Sequence, residues 1–167
     1  MKIVADAYIP FLKGLLEPYA QVSYYEPNEI TNAVVRDADI LLIRSRTKVD
    51  KHLLNGSRCK FIGTATIGHD HIDTKYCQEN GIRWQNAPGC NASSVGQYVL
   101  ASILLWARSK NRDISEMTIG IIGVGHVGSI VEKYCRALGM KVLLNDPPRA
   151  AVEGNQKFVS LEEIAAQ

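Results

Sequence analysis

The sequence predicts an α/β protein made of two successive parallel-sheet units, and three observations carry that prediction. Short apolar runs alternate with helical patterns from residue 2 to residue 90, the rhythm of a parallel sheet covered on both faces. A glycine-rich turn, Gly123-Val-Gly-His-Val-Gly128, follows a β-branched run and opens a helical pattern. A further strand pattern comes after that helix and ends on an acidic residue, Asp146. A length of 167 residues allows one domain or two small ones, and 46% hydrophobic with 22% charged residues is ordinary for a globular chain.

In the first unit, strands are expected over residues 2–5, 21–24, 39–43, 61–64 and 82–84, with helices near 9–16, 29–35, 51–54 and 74–80. Asp73 is placed to cap the last of these helices and Gly81 to end it. The alternation predicts a flavodoxin-like parallel sheet, taken as a domain core over residues 1–92. A linking helix is expected over 93–112, where Val95, Val99, Leu100, Ile103, Leu104 and Ala107 recur at helical spacing. Its apolar residues cover more than one stripe. That predicts a buried helix, either in a plain core or at a domain or subunit interface.

The second unit is organised by the glycines. Ile119, Ile121 and Ile122 read as a buried parallel strand. Gly123, Gly125 and Gly128 then form G-x-G-x-x-G. The first glycine would allow the tight turn, the second the approach of a pyrophosphate, and the third close packing of helix on strand. A helix is expected over 127–138, with its N-terminal amides and positive dipole end toward that pyrophosphate. Gly139 stops it, a strand follows over 141–145, and Asp146 at its end lies near the spacing that brings a carboxylate to the adenosine ribose. The motif alone is weak, but with strand, helix, strand and acid around it the segment 113–167 reads as the first part of a Rossmann dinucleotide-binding domain. Ser160 and Glu163 form a capping box that starts another helix. Such a domain needs two β-α-β-α-β halves. Residues 113–167 supply two strands, so the sequence is expected to be a piece of a longer protein with an open sheet edge.

Ligands of open parallel sheets sit beyond the C-terminal ends of the strands. Arg44, Ser45, Arg46, Thr47 and Lys48 follow the third strand, Thr66 and its neighbours the fourth, and Asn86 to Asn91 the fifth. Two arginines, a lysine and hydroxyls suit an anionic substrate, although a solvated basic loop would read the same way. Net charge is only +2 (19 basic, 17 acidic) with no basic stripe, which gives no reason to expect nucleic acid or an anionic membrane. The longest apolar run, 98–107, is too short to span a bilayer, and the N-terminus has no signal-peptide pattern. Cys59, Cys77, Cys90 and Cys135 are scattered, the usage of reduced thiols. The expected location is therefore cytoplasmic. His69, Asp70, His71 and Asp73 read as capping and local hydrogen bonding, with no metal expected. Cys90 has no adjacent base and reads as a small residue rather than a nucleophile.

Five segments carry a resemblance: Ile43-Arg-Ser-Arg-Thr-Lys-Val49, Gly63-Thr-Ala-Thr-Ile-Gly-His-Asp-His-Ile-Asp73, Asn86-Ala-Pro-Gly-Cys-Asn-Ala92, Gly120 to Gly128, and Asn145-Asp-Pro-Pro-Arg-Ala150. Together they resemble the D-2-hydroxyacid dehydrogenase superfamily over the whole chain. The resemblance implies an NAD-dependent oxidoreductase, a small phosphorylated hydroxy acid as substrate, and a homodimer. It implies substrate contacts at Ser45 and Thr66, with Arg44 and Arg46 beside them. It implies NAD contacts at His126, Val127 and Asp146, beside Gly123, Gly125 and Gly128. A carboxylate at Asp146 repels a 2′-phosphate and favours NAD over NADP, whereas Arg149 nearby weighs the other way. The family's catalytic arginine, carboxylate and histidine fall beyond Gln167 in family order, and none of the four histidines here stands at the matching motif, so no catalytic residue is assigned. Gln97 and His126 depart from the usual glutamate and asparagine of the family. Two rival readings stay open: a family member with a glycerate or phosphoglycerate substrate, and a non-catalytic dinucleotide-binding module.

Overall fold

The computed structural model describes residues 1–167. The chain divides into two compact units, Met1–Pro88 and Gly89–Gln167. In the first, β1 (Lys2–Asp6), β2 (Gln21–Tyr25), β3 (Ile40–Ile43), β4 (Phe61–Thr64) and β5 (Arg83–Gln85) form one sheet in the order β2-β1-β3-β4-β5. Every neighbouring pair is parallel. This is the flavodoxin-like order, whose switch point lies between β1 and β3. Leu41, Ile43 and Ile62 are fully buried on one face of the sheet, in a cluster with Val35 and Val49, while Ile40, Leu42 and Phe61 on the other face are half-buried. The short helices α1 (Asn32–Val35), α2 (Lys51–Leu54) and α3 (Thr74–Glu79) supply the cover. Asp50 caps α2 through the His52 and Leu53 amides, and Asp73 caps α3 through the Tyr76 amide.

The helix expected over 9–16 does not form. The segment between β1 and β2 is a series of turns, with Phe11 at φ 59° and Gly14 at φ 91°. Left-handed backbone at two points breaks a right-handed helix. Pro10 and Pro18 remove two amide donors, and the Glu17 carboxylate takes the amides of Gly14 and Leu16. The helix expected over 29–35 shortens to one turn.

The second unit holds α4 (Ala92–Ser109), β6 (Thr118–Ile122), α5 (His126–Ala137), β7 (Lys141–Asn145), α6 (Pro147–Glu153) and α7 (Leu161–Ala165). β6 and β7 pair in parallel from Thr118 with Lys141 to Ile122 with Asn145, the first β-α-β of a Rossmann-like fold. Ile121, Val124, Val131, Cys135, Met140 and Leu144 form its core, with Val99 and Ile103 of α4 packed on it. Gly96 brings α4 close to α5: a Cβ there would stand 2.5 Å from Ile130 Cγ2. The sequence predicts a buried helix in a core or at a domain or subunit interface, and within this chain α4 buries one face. Only Ala92, Gly96 and Ala107 are buried, while Tyr98, Leu105 and Trp106 are 74%, 68% and 46% exposed. One face packs within the unit and the other is left uncovered by this chain. α6 was not anticipated from the sequence. Proline suits the first helical position, and Asp146 caps the helix. Ser160 caps α7 through the Glu163 amide. No helix is long and apolar enough to cross a membrane.

Candidate functional site

The glycine loop closes as its spacing requires. Gly123 sits at φ 85°, which a side chain would strain. A Cβ on Gly128 would fall 2.1 Å from the Gly123 carbonyl oxygen and 3.3 Å from Ile121 Cγ2, so the absence of a side chain lets α5 lie against β6. Gly125 is different. Its Cβ would meet nothing within 4 Å, leaving open space beside the loop. No side chain caps the N-terminus of α5, so the first-turn amides of His126, Val127 and Gly128 have no intrahelical partner. Open space at the second glycine and free amides beside it fit a dinucleotide pyrophosphate. The His126 ring lies over Gly89, with which it shares the second unit: a Cβ there would be 2.9 Å from the His126 ring.

Asp146 ties the loop to the end of β7. One carboxylate oxygen accepts from the Val124 amide at 2.7 Å and the other from the Arg149 amide at 3.1 Å. An ionised carboxylate offers about four lone-pair sites, so acceptor capacity remains for ribose hydroxyls. Arg149 is pinned. It donates to the Val124 carbonyl oxygen and forms a fork with Glu153, at 2.6 and 3.0 Å. Hydrogen bonds from Arg149 and then Lys157 hold the Glu153 carboxyl at about 2. The guanidinium that the sequence sets against Asp146 is thus already neutralised by a carboxylate one turn along α6.

In the first unit, a cavity of about 410 Å³ at the ends of β1 and β3 is lined by Asp6, Tyr8, Pro27, Arg44, Ser45 and Arg46. Arg44 donates to the Tyr8 carbonyl at 3.3 Å, and Arg44, Ser45 and Arg46 are exposed. Asp6 is missing from the sequence reading. It ends β1 and is 1% exposed, and its carboxylate accepts from the Tyr8 amide at 2.8 Å. Its signal is the same as that of Arg44, a polar residue closing an apolar strand, but the strand-end reading begins at the third strand.

Thr66 does not line this cavity. It stands two residues beyond Thr64, as Ser45 stands two beyond Ile43, and Ile43 and Thr64 are partners in register. Its hydroxyl lies 2.6 Å from that of Thr64 and 2.9 Å from the Gly68 carbonyl oxygen. Thr64 is in turn 3.0 Å from His71 Nε2. Burial pushes the His71 imidazole below its ordinary pKa, against an opposing pull from Asp70. His69 instead packs on Trp84, with ring centroids 4.7 Å apart. No three His, Cys, Asp or Glu side chains gather as metal ligands. All four cysteines are free, and only Cys90 is exposed.

The family model described as D-isomer specific 2-hydroxyacid dehydrogenase, catalytic domain, matches residues 3–165. The erythronate-4-phosphate dehydrogenase of Bacteroides thetaiotaomicron is 53% identical over 168 residues, covering 100% of this chain and 48% of that protein. The chain spans about half the length of the curated relatives it matches. Among solved structures, the NAD+-bound 3-phosphoglycerate dehydrogenase of Entamoeba histolytica superposes with a TM-score of 0.70 at 29% identity, over 88% of this chain and 54% of that one. The D-lactate dehydrogenase of Aquifex aeolicus, complexed with NAD and lactic acid, gives a TM-score of 0.67 at 25% identity, over 99% and 54%.

Proposed function

Because the chain belongs to the D-isomer specific 2-hydroxyacid dehydrogenase family, we propose that it forms part of an erythronate-4-phosphate dehydrogenase of pyridoxine biosynthesis. Residues 1–92 are its substrate-domain core, 93–112 its linking helix and 113–167 the first part of its NAD domain. The reaction is oxidation of 4-phospho-D-erythronate at C2 to 2-oxo-3-hydroxy-4-phosphobutanoate, with NAD, when bound, taking the hydride. The observation that carries this reading is the cavity at the end of β3, where Arg44 and Arg46 flank Ser45 in a chain 53% identical to a protein of that name. Two guanidinium groups match a ligand with a carboxylate at one end and a phosphate at the other. Ser45 and Thr66 contact the substrate. The first-turn amides of α5, at His126 and Val127, bind the pyrophosphate across the loop of Gly123, Gly125 and Gly128, and Asp146 accepts from the ribose hydroxyls. No catalytic proton carrier is assigned among these residues.

The test is binding to the 167-residue chain, followed by amide chemical shifts. 4-Phospho-D-erythronate is expected to perturb residues 44–46 and 66, and NAD+ residues 123–128 and 146, with D-lactate at least tenfold weaker than the phosphorylated ligand. Equal affinity for 3-phosphoglycerate would transfer the reading to a phosphoglycerate enzyme, and NAD+ binding with no hydroxy acid bound would leave a dinucleotide module.

The uncovered face of α4 fits a second copy of the chain, since Tyr98, Leu105 and Trp106 are apolar or aromatic and exposed and such residues are enriched in interface cores. Sedimentation is expected to give a dimer, and Leu105→Glu with Trp106→Glu a monomer. A monomeric unmutated chain would remove the dimer from the proposal.

A further inference from the structure

Thr66 belongs to a chain of hydrogen bonds whose direction follows from counting hydrogens. A hydroxyl has one hydrogen and two lone pairs, and a carbonyl oxygen only accepts. Thr66 Oγ1 lies 2.9 Å from the Gly68 carbonyl oxygen, and the arrangement that satisfies every contact in the chain sends its single hydrogen there. The Thr64 hydroxyl is 2.6 Å from Thr66 Oγ1, a separation that requires a hydrogen between the two oxygens, and only Thr64 has one left to give. Thr64 therefore accepts at its 3.0 Å contact with His71 Nε2, and that nitrogen carries a hydrogen. The opposite tautomer is met only if Thr66 turns its hydrogen to Thr64 and the Gly68 carbonyl oxygen loses that donor, one hydrogen bond fewer. The His71 backbone is held in turn: its carbonyl accepts from the Val49 amide at 2.7 Å, and the Asp73 amide donates to Val49 at 2.8 Å.

We infer that His71 is a positioning residue which, through Thr64, presents Thr66 as a hydrogen-bond acceptor only, so that Thr66 reads a hydroxyl group of the substrate and not its anionic oxygens. This rests on the proposed hydroxy-acid function, in which Thr66 contacts the substrate from the strand end beside the cavity. Ionised carboxylate oxygens carry no hydrogen, so they find no partner at a hydroxyl whose own hydrogen is spent. The anionic ends of the substrate fall to Arg44, Arg46 and Ser45, while the hydroxyl that distinguishes a hydroxy acid from a plain acid falls to Thr66. His71, Thr64 and Thr66 thus divide the labour of recognition with the arginines of the neighbouring strand end.

Two measurements on the 167-residue chain test this. Imidazole ¹⁵N shifts without ligand are expected to show His71 bearing hydrogen at Nε2 and bare at Nδ1. Titration then compares 4-phospho-D-erythronate with 4-phosphobutanoate, which keeps both anionic ends and lacks the hydroxyls. The first is expected to bind about three- to tenfold tighter, the range of one net hydrogen bond. Thr66→Val should erase that difference and Thr66→Ser keep it. His71→Phe should shrink it, and His71→Gln, whose amide N–H₂ reaches the same place, should restore it. A His71 ring protonated only at Nδ1 overturns the inference while leaving the substrate reading intact. So does a Thr66→Val chain that loses affinity for both ligands alike. If neither ligand binds the unmutated chain, the substrate reading fails and the inference falls with it, whichever tautomer is found.

Discussion

Replacing Gly128 with alanine is expected to cost the second unit about 3 kcal/mol, the upper part of the range for forcing atoms into a packed site, and to abolish dinucleotide binding. The added methyl would lie 2.1 Å from the Gly123 carbonyl oxygen. That oxygen is backbone, in a turn already at φ 85°, so no side-chain rotation relieves the contact. Either α5 lifts off β6, exposing Val131 and Cys135 from the core, or the turn opens. Both outcomes carry the first-turn amides of α5 away from the loop. Hydrogen exchange should show faster opening of the amides of β6 and α5, with β1 to β5 unchanged. The matched control is Gly125→Ala. Its methyl meets nothing within 4 Å and its φ of −78° suits any residue, so stability should stay within about 0.5 kcal/mol, as for an unhindered surface change. NAD+ affinity should nevertheless fall at least tenfold, because the methyl occupies the space left for pyrophosphate. A Gly128→Ala chain as stable as the unmutated one would refute the packing role, and a Gly125→Ala chain that binds NAD+ normally would refute the assignment of that space.

The contrast between these glycines explains what the sequence discloses. G-x-G-x-x-G is legible because Gly123 and Gly128 answer backbone and packing demands that recur wherever a strand turns into a helix, and Gly125 leaves space open beside the loop. The strands of the first unit are legible for a similar reason: runs such as Ile40–Ile43 are apolar at every position, with one face buried and the other half-buried. Where local pattern and tertiary demand part, the reading fails. Residues 9–16 have helical spacing, but Phe11, Leu15 and Tyr19 remain exposed. Ile9, Leu12 and Leu16 are only half-buried, and spacing alone does not hold a helix against left-handed backbone and Glu17. On α4 the apolar surplus is real, and what the sequence cannot tell is that Tyr98 and Leu105 point away from α5. The Thr66–Thr64–His71 series is also invisible in one dimension. It needs the loop after β4 to return beside β3, which the pairing of Val49 with Ile72 secures.

The second large effect concerns which dinucleotide is chosen. Asp146→Ala removes the acceptor of two backbone amides, Val124 and Arg149. Loss of the helix cap costs about 1 kcal/mol, and leaving the Val124 amide without its charged partner adds about 1–2 kcal/mol. Selectivity should shift as well. On the proposed role of Asp146, its removal lifts repulsion of a 2′-phosphate, and the ratio of NAD to NADP affinity is expected to drop about tenfold, the equivalent of about 1.4 kcal/mol. Full reversal needs more, because Arg149 stays engaged by Glu153 at 2.6 and 3.0 Å. Glu153→Gln in the same chain weakens that fork and frees the guanidinium for a phosphate, for which its planar donors are suited. The double variant is therefore expected to favour NADP, a shift of about a hundredfold from the unmutated chain, while Glu153→Gln alone should change the ratio little because Asp146 still repels the phosphate. Calorimetric dissociation constants for NAD+ and NADP+ across the four chains decide it. Additive, equal contributions from the two substitutions would mean that Glu153 acts on the phosphate by simple charge. A larger effect of Glu153→Gln once Asp146 is absent would mean that it acts by holding Arg149, which is what the fork between them implies.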